Sequence, residues 1–111
     1  MPANTDADKI FHIIEAAREA IGYIEGKERG DLDNDKMLVH SLVRCLEIIG
    51  EAAARISDSC KAEISRLPWS RIVGMRNRLI HAYFDINLDI VWKTVKEELP
   101  ELLKIIEQHS V

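Results

Sequence analysis

Apolar residues recur along most of this chain at helical spacing. Ile10, Ile14, Ala17, Ile21 and Ile24 fall 4, 3, 4 and 3 residues apart. That places them on one stripe of a helix running from about Asp6 to Glu25. Glu15, Arg18, Glu19 and Glu25 lie largely off the stripe, and Gly26 and Gly30 supply the stop. A turn rich in Asp, Asn and Gly follows, in which Asp33 or Asn34 can cap a second helix. Leu38, Leu42, Cys45, Ile49, Ala52 and Ile56 carry that helix to about Ser57, with Val39, Val43, Leu46 and Ala53 as a second apolar row. A stripe this wide predicts a central helix touching two neighbours. Lys61 to Arg66 suits one short helix. Pro68 suits the first turn of a third main helix, over about Pro68 to Tyr83. Asn87 can cap a fourth, striped by Leu88, Val91, Val95, Leu99, Leu102 and Ile106, with a kink or break expected near Leu99 because of Pro100.

The pattern is that of an all-α protein, an up-and-down bundle of four main helices with one or two short extra helices. Length agrees: 111 residues make one domain over 1–111. Only 5% of residues are aromatic, with 5 Gly and 3 Pro, fewer than sandwiches and barrels need. No apolar run reaches the ~18–20 residues of a membrane span. The polar start, with Asp6 and Asp8, lacks the form of a signal peptide. A cytoplasmic protein is expected. Cys45 and Cys60 are too few for a disulfide scaffold or a four-ligand zinc site, and Cys45 reads as a buried thiol.

Charge changes the picture in one place. The chain carries −4 overall, which excludes a histone-like or polybasic nucleic-acid binder. Yet Arg66 to Phe84 holds Arg66, Arg71, Arg76 and Arg78 and no acid, leaving −8 for the rest. Such a patch is either an anion site, since guanidinium matches phosphate, or a set of arginines solvated or paired with acids on other helices. Within it lies Arg76-Asn77-Arg78-Leu79-Ile80-His81-Ala82-Tyr83. On a continuous helix Asn77 and His81 stand one turn apart, and Arg76 and Tyr83 align to within about 20°. Together they offer a fixed positive charge, a polar orienting group, a group titrating near pH ~6.5 and a hydroxyl. That set suits RNA phosphodiester transesterification without metal. Histidine moves the proton of the ribose 2′-OH or of the leaving oxygen, and arginine stabilises the phosphorane. One histidine does not easily do both, and a symmetric dimer would supply a second. Taken alone, His81 reads first as a hydrogen-bonded, partly buried histidine, and only the cluster around it weakens that reading.

Arg76, His81 and Tyr83 resemble the R-x4-H-x-Y motif of the HepT-like branch of the HEPN superfamily. Glu47-Ile48-Ile49-Gly50-Glu51-Ala52-Ala53, Pro68-Trp69, Ile72-Val73-Gly74-Met75 and Leu88-Asp89-Ile90-Val91-Trp92 are similar to that family too. The resemblance runs from about Ile10 to Ile106. It implies a HEPN-like helical bundle. It also implies a homodimeric, metal-independent endoribonuclease toxin of a type II or VII toxin–antitoxin system, with no cofactor. Arg76 and His81 match the catalytic pair, and Asn77 the polar residue following the arginine. The implied partner is a minimal nucleotidyltransferase antitoxin that can transfer AMP to Tyr83. A bulky anion there would compete with RNA phosphate. Arg78 and Arg71 are expected to hold flanking phosphates, and Tyr83 to contact substrate.

The alternative is a non-catalytic dimeric module that docks the nucleotidyltransferase. Other signals are weaker. His12, His40, His81 and His109 form no Glu-x-x-His pair. Glu47 and Glu51 suit solvated or interhelical contacts. Trp69 and Trp92 suit packing rather than base stacking. Gly50 costs about 0.8–1 kcal/mol relative to Ala in a helix and marks a close helix approach, such as a dimer seam.

Overall fold

The computed structural model describes residues 5–82 and 85–109, with backbone alone at 81 and 82. Its elements are α1 (Asp6–Tyr23), a 3-10 turn (Arg29–Asp33), α2 (Lys36–Ala54), α3 (Asp58–Glu63), α4 (Trp69–Val73), α5 (Met75–Leu79), β1 (Ile80–Ala82), β2 (Asp85–Ile86), α6 (Leu88–Lys93), a π turn (Thr94–Glu98) and α7 (Leu99–His109). This is an all-α, HEPN-like bundle with one small hairpin. None of its described helices is long and apolar enough to cross a membrane.

The starts follow from side-chain caps. Thr5 accepts from the Asp8 N–H, Asp35 from Leu38, Ser57 from Cys60 and Asn87 from Ile90, each satisfying a free amide of a first turn. The Asp6 carboxylate also accepts from the Ser57 amide at 3.0 Å and its hydroxyl at 2.6 Å, tying α1 to the start of α3. Gly26, at φ 74, turns the chain after α1 in a region where a side chain would be strained.

Helix α2 is central, packing against α1, α4, α5 and α6. Ile13, Leu42, Leu46, Ile49, Leu79, Leu99 and Ile106 are among the fully buried side chains of one continuous core. At Gly50 a Cβ would stand 3.3 Å from the Ile72 carbonyl oxygen and 3.6 Å from that of Val73. The missing side chain lets α2 sit directly against the backbone of α4. The close approach expected at Gly50 is present, and it lies within the chain.

The expected single helix from Pro68 to Tyr83 is not what forms. Pro68 caps α4 rather than entering it, and Gly74 ends α4 after Val73. Helix α5 then runs only to Leu79, and Ile80 turns extended at φ −124, ψ 112. The Asn77 and Arg78 amides both donate to the Gly74 carbonyl. The physical reasons are local. Glycine weakens a helix interior, and Ile80, Tyr83, Phe84 and Ile86 are strand-favouring types. β1 pairs antiparallel with β2, Ile80 opposite Ile86 and Ala82 opposite Asp85. The Asn87 amide donates to the Leu79 carbonyl at 2.7 Å and closes the base of the hairpin.

The expected break near Leu99 appears as the π turn, with no interruption. Four residues overshoot an α-helical turn by about 40°, so Val91, Val95 and Leu99 would drift about 80°. The wider turn absorbs that drift, and all three are buried. It also loosens the backbone before Pro100, which brings no N–H and crowds the carbonyl four residues back.

Candidate active site

Helix α5 carries three of the candidate residues, and the bundle holds it from two sides. On one side the Arg76 Nε donates to the Glu47 Oε2 of α2 at 3.0 Å. Arg76 is 62% exposed and Glu47 24%. On the other, Arg78 donates from Nη1 and Nη2 to the Glu98 carboxylate at 3.4 and 3.2 Å. Arg71 of α4 reaches the same carboxylate with Nε and Nη2, at 3.3 and 3.1 Å. Two residues on a helix lie about 200° apart, which is why neighbours Arg76 and Arg78 find different partners.

Glu98 closes the π turn, and its side chain is 27% exposed. Burial pushes its carboxyl pKa up. The hydrogen bonds from Arg71 and Arg78, with their charges, outweigh that and hold the carboxyl below the ordinary glutamate range. Beside this trio runs a groove of about 400 Å³, floored by Leu67, Ile72, Met75, Leu99 and Leu102. Lys93, Glu97 and Glu101 also line it, so its charges balance.

The candidates therefore divide. Arg76 and the exposed Asn77 face solvent on α5. Arg71 and Arg78 meet each other on Glu98, away from Arg76. The His81 backbone lies in β1, beyond the end of α5, so the predicted one-turn stacking of Asn77 on His81 does not occur. The His81 imidazole and all of Tyr83 lie outside the described residues. Pairing of the arginines with acids on other helices, one of the two readings of the basic patch, holds for Arg71, Arg76 and Arg78. Arg66 instead donates to the Gln108 side chain at 3.3 Å. Glu47 makes the interhelical contact expected of it.

Sequence reasoning did not single out Glu98. The signal was an acid on the element facing an unpaired basic helix, but the π turn that aims it is invisible to a 3.6-residue period. Trp69 packs as expected, its indole N–H shared between the Lys61 and Ile64 carbonyls at 3.2 and 3.0 Å. Trp92 is partly buried on the core with the Lys96 ammonium over its ring. Among the described residues no three His, Cys, Asp or Glu side chains stand together as a metal site.

The all-α bundle is the fold that the resemblance implied, the hairpin after α5 is not, and sequence comparison identifies the family. The family model described as "Ribonuclease HepT-like" matches residues 13–109. The chain is 37% identical over 98 residues to a Methanocaldococcus jannaschii protein named "Putative RNase MJ1380", covering 88% of this chain and 90% of that one. It is 38% identical over 97 residues to "Putative RNase TTE0752" of Caldanaerobacter subterraneus, at 87% coverage of each. It is 41% identical over 93 residues to "Probable ribonuclease HepT" of Thermococcus cleftensis, covering 80% and 84%. No solved structure matches it significantly. The chain belongs to the HepT-like ribonuclease family.

Proposed function

We propose that this chain is a metal-independent endoribonuclease that works as a homodimer and serves as the toxin of a toxin–antitoxin pair. The observation that carries the reading is the state of Arg76. Among the described residues it is anchored through Nε alone, which leaves both terminal nitrogens of its guanidinium for a phosphate.

In this reading His81 takes the proton of a ribose 2′-OH. The 2′ oxygen attacks phosphorus, and the bond from phosphorus to the 5′ oxygen breaks. The second copy's histidine protonates that leaving oxygen, giving a 2′,3′-cyclic phosphate and a 5′-OH. Arg76 stabilises the charge on the phosphorane, and Asn77 orients the phosphate. Arg71 and Arg78, already shared with Glu98, contribute one net positive charge to flanking phosphates. A minimal nucleotidyltransferase is the antitoxin. Tyr83 oxygen attacks the α-phosphorus of ATP, pyrophosphate leaves, and the AMP ester blocks the site.

The test is incubation of the purified chain with structured and single-stranded RNA in excess chelator. Cleavage to cyclic-phosphate ends, absent in His81→Ala, is expected. Intact RNA, or cleavage only with added divalent metal, would refute the reading. One observation favours the second reading, a non-catalytic module docking a nucleotidyltransferase: three of the four patch arginines already hold carboxylate partners. That module would leave growth unaffected when expressed alone, whereas the nuclease arrests it.

A further inference from the structure

We infer that Glu47 is a positioning residue for Arg76, and that Gly50 is the backbone feature that lets it act. The inference rests on the ribonuclease reading above and names a residue which that reading does not use. Arg76 projects from a five-residue helix, too short to hold an orientation by its own hydrogen bonds. Its side chain is mostly exposed, and a free arginine there would sample many rotamers.

Three observations fix it instead. Helix α2 is 19 residues long and buried along one face, so residues on it have set positions. Gly50 brings that helix against the α4 carbonyls, where a Cβ would be 3.3 Å from the Ile72 oxygen. Glu47 lies one turn before Gly50, on the same side, and its Oε2 meets the Arg76 Nε at 3.0 Å. The bond takes the one guanidinium N–H that points back along the side chain. The forked end, which matches two phosphate oxygens, has no partner among the described residues. An ion pair this exposed adds little to stability. Its effect falls on the orientation of the group that must meet a transition state.

The role needs an acceptor at Glu47 and no charge. Glu47→Gln keeps an acceptor oxygen, and Glu47→Ala removes it. With a fluorogenic oligoribonucleotide, Glu47→Ala should lower kcat about 10- to 100-fold with KM changed less than about threefold. Glu47→Gln should keep kcat within about threefold. In the Arg76→Ala background Glu47→Ala should have no further effect, since its target is gone. Equal melting temperatures establish that the variants fold.

Unchanged kcat in Glu47→Ala, a glutamine variant as slow as the alanine one, or additive losses in the double variant would each overturn the inference. An inactive wild type would instead overturn the ribonuclease reading. The same variant cycle is then measured as binding of a non-cleavable 2′-O-methyl oligoribonucleotide. Coupling between the two positions supports the positioning role, and additivity overturns it.

Discussion

Arg71 and Arg78, from two different short helices, converge on one carboxylate, and Glu98 accepts from both at 3.1–3.4 Å. Neither α4 nor α5 has the length to stand alone, at five residues each. Glu98 therefore fastens them together and to the C-terminal helix.

The pH dependence of stability should show this. The Glu98 carboxyl is held below the ordinary glutamate value of 4.5. Its contribution is complete above that value and is lost as pH falls through the depressed folded-state pKa. Melting temperatures across the acid range should fall more steeply in the wild type than in Glu98→Gln. Parallel acid limbs would mean that the carboxylate contributes nothing.

Arg76→Ala and His81→Ala should each cut RNA cleavage by roughly 100-fold or more. Arg76 is exposed, so Arg76→Ala should change unfolding free energy by less than about 1 kcal/mol. Steady-state kinetics beside urea unfolding separates the two effects. An active Arg76→Ala protein would remove the arginine from the chemistry.

Thr94 is fully buried in the π turn, and its hydroxyl has no hydrogen-bond partner among the described residues. Thr94→Val keeps the shape and removes the unsatisfied group, so it should stabilise the fold by about 1 kcal/mol. Urea unfolding measures it. A loss of stability would reveal a partner for the hydroxyl.

Gly50→Ala sets a gain of about 1 kcal/mol in helix propensity against the crowded Ile72 carbonyl. Overpacking against backbone costs about 1–3 kcal/mol, so a net loss near ~1 kcal/mol is expected. A raised melting temperature would show that α4 yields instead.

Burial pushes the Cys45 thiol up to about 11, and its side chain lies in the core. Native protein at pH 8 treated with iodoacetamide should label Cys45 only on unfolding, whereas the partly exposed Cys60 labels first. Peptide mass spectrometry reads the order.

The bundle was legible because its long helices obey one period and carry conventional caps. The Asp6, Asn87 and Gly26 boundaries lie close to where spacing and turn chemistry place them. The motif segment was legible in content but not in shape. Arg76 to Tyr83 reads as a helix on periodicity because Met75, Leu79 and neighbouring apolar residues keep helical spacing. Gly74 and the strand-favouring run after Leu79 overrule that period. The ion pairs could not be placed either. Glu47 and Glu98 are distant in sequence from their arginines, and packing, including one π turn, decides which acid meets which base.

The change of conformation at Ile80 has a consequence for how the molecule fails. Arg76 and His81 sit on separate short pieces, the five-residue α5 and the three-residue β1, and short elements open locally more readily than long helices. Under the ribonuclease reading, warming should silence cleavage well before the long helices lose their circular-dichroism signal, so heat resistance of the bundle and heat resistance of its chemistry would be separate quantities.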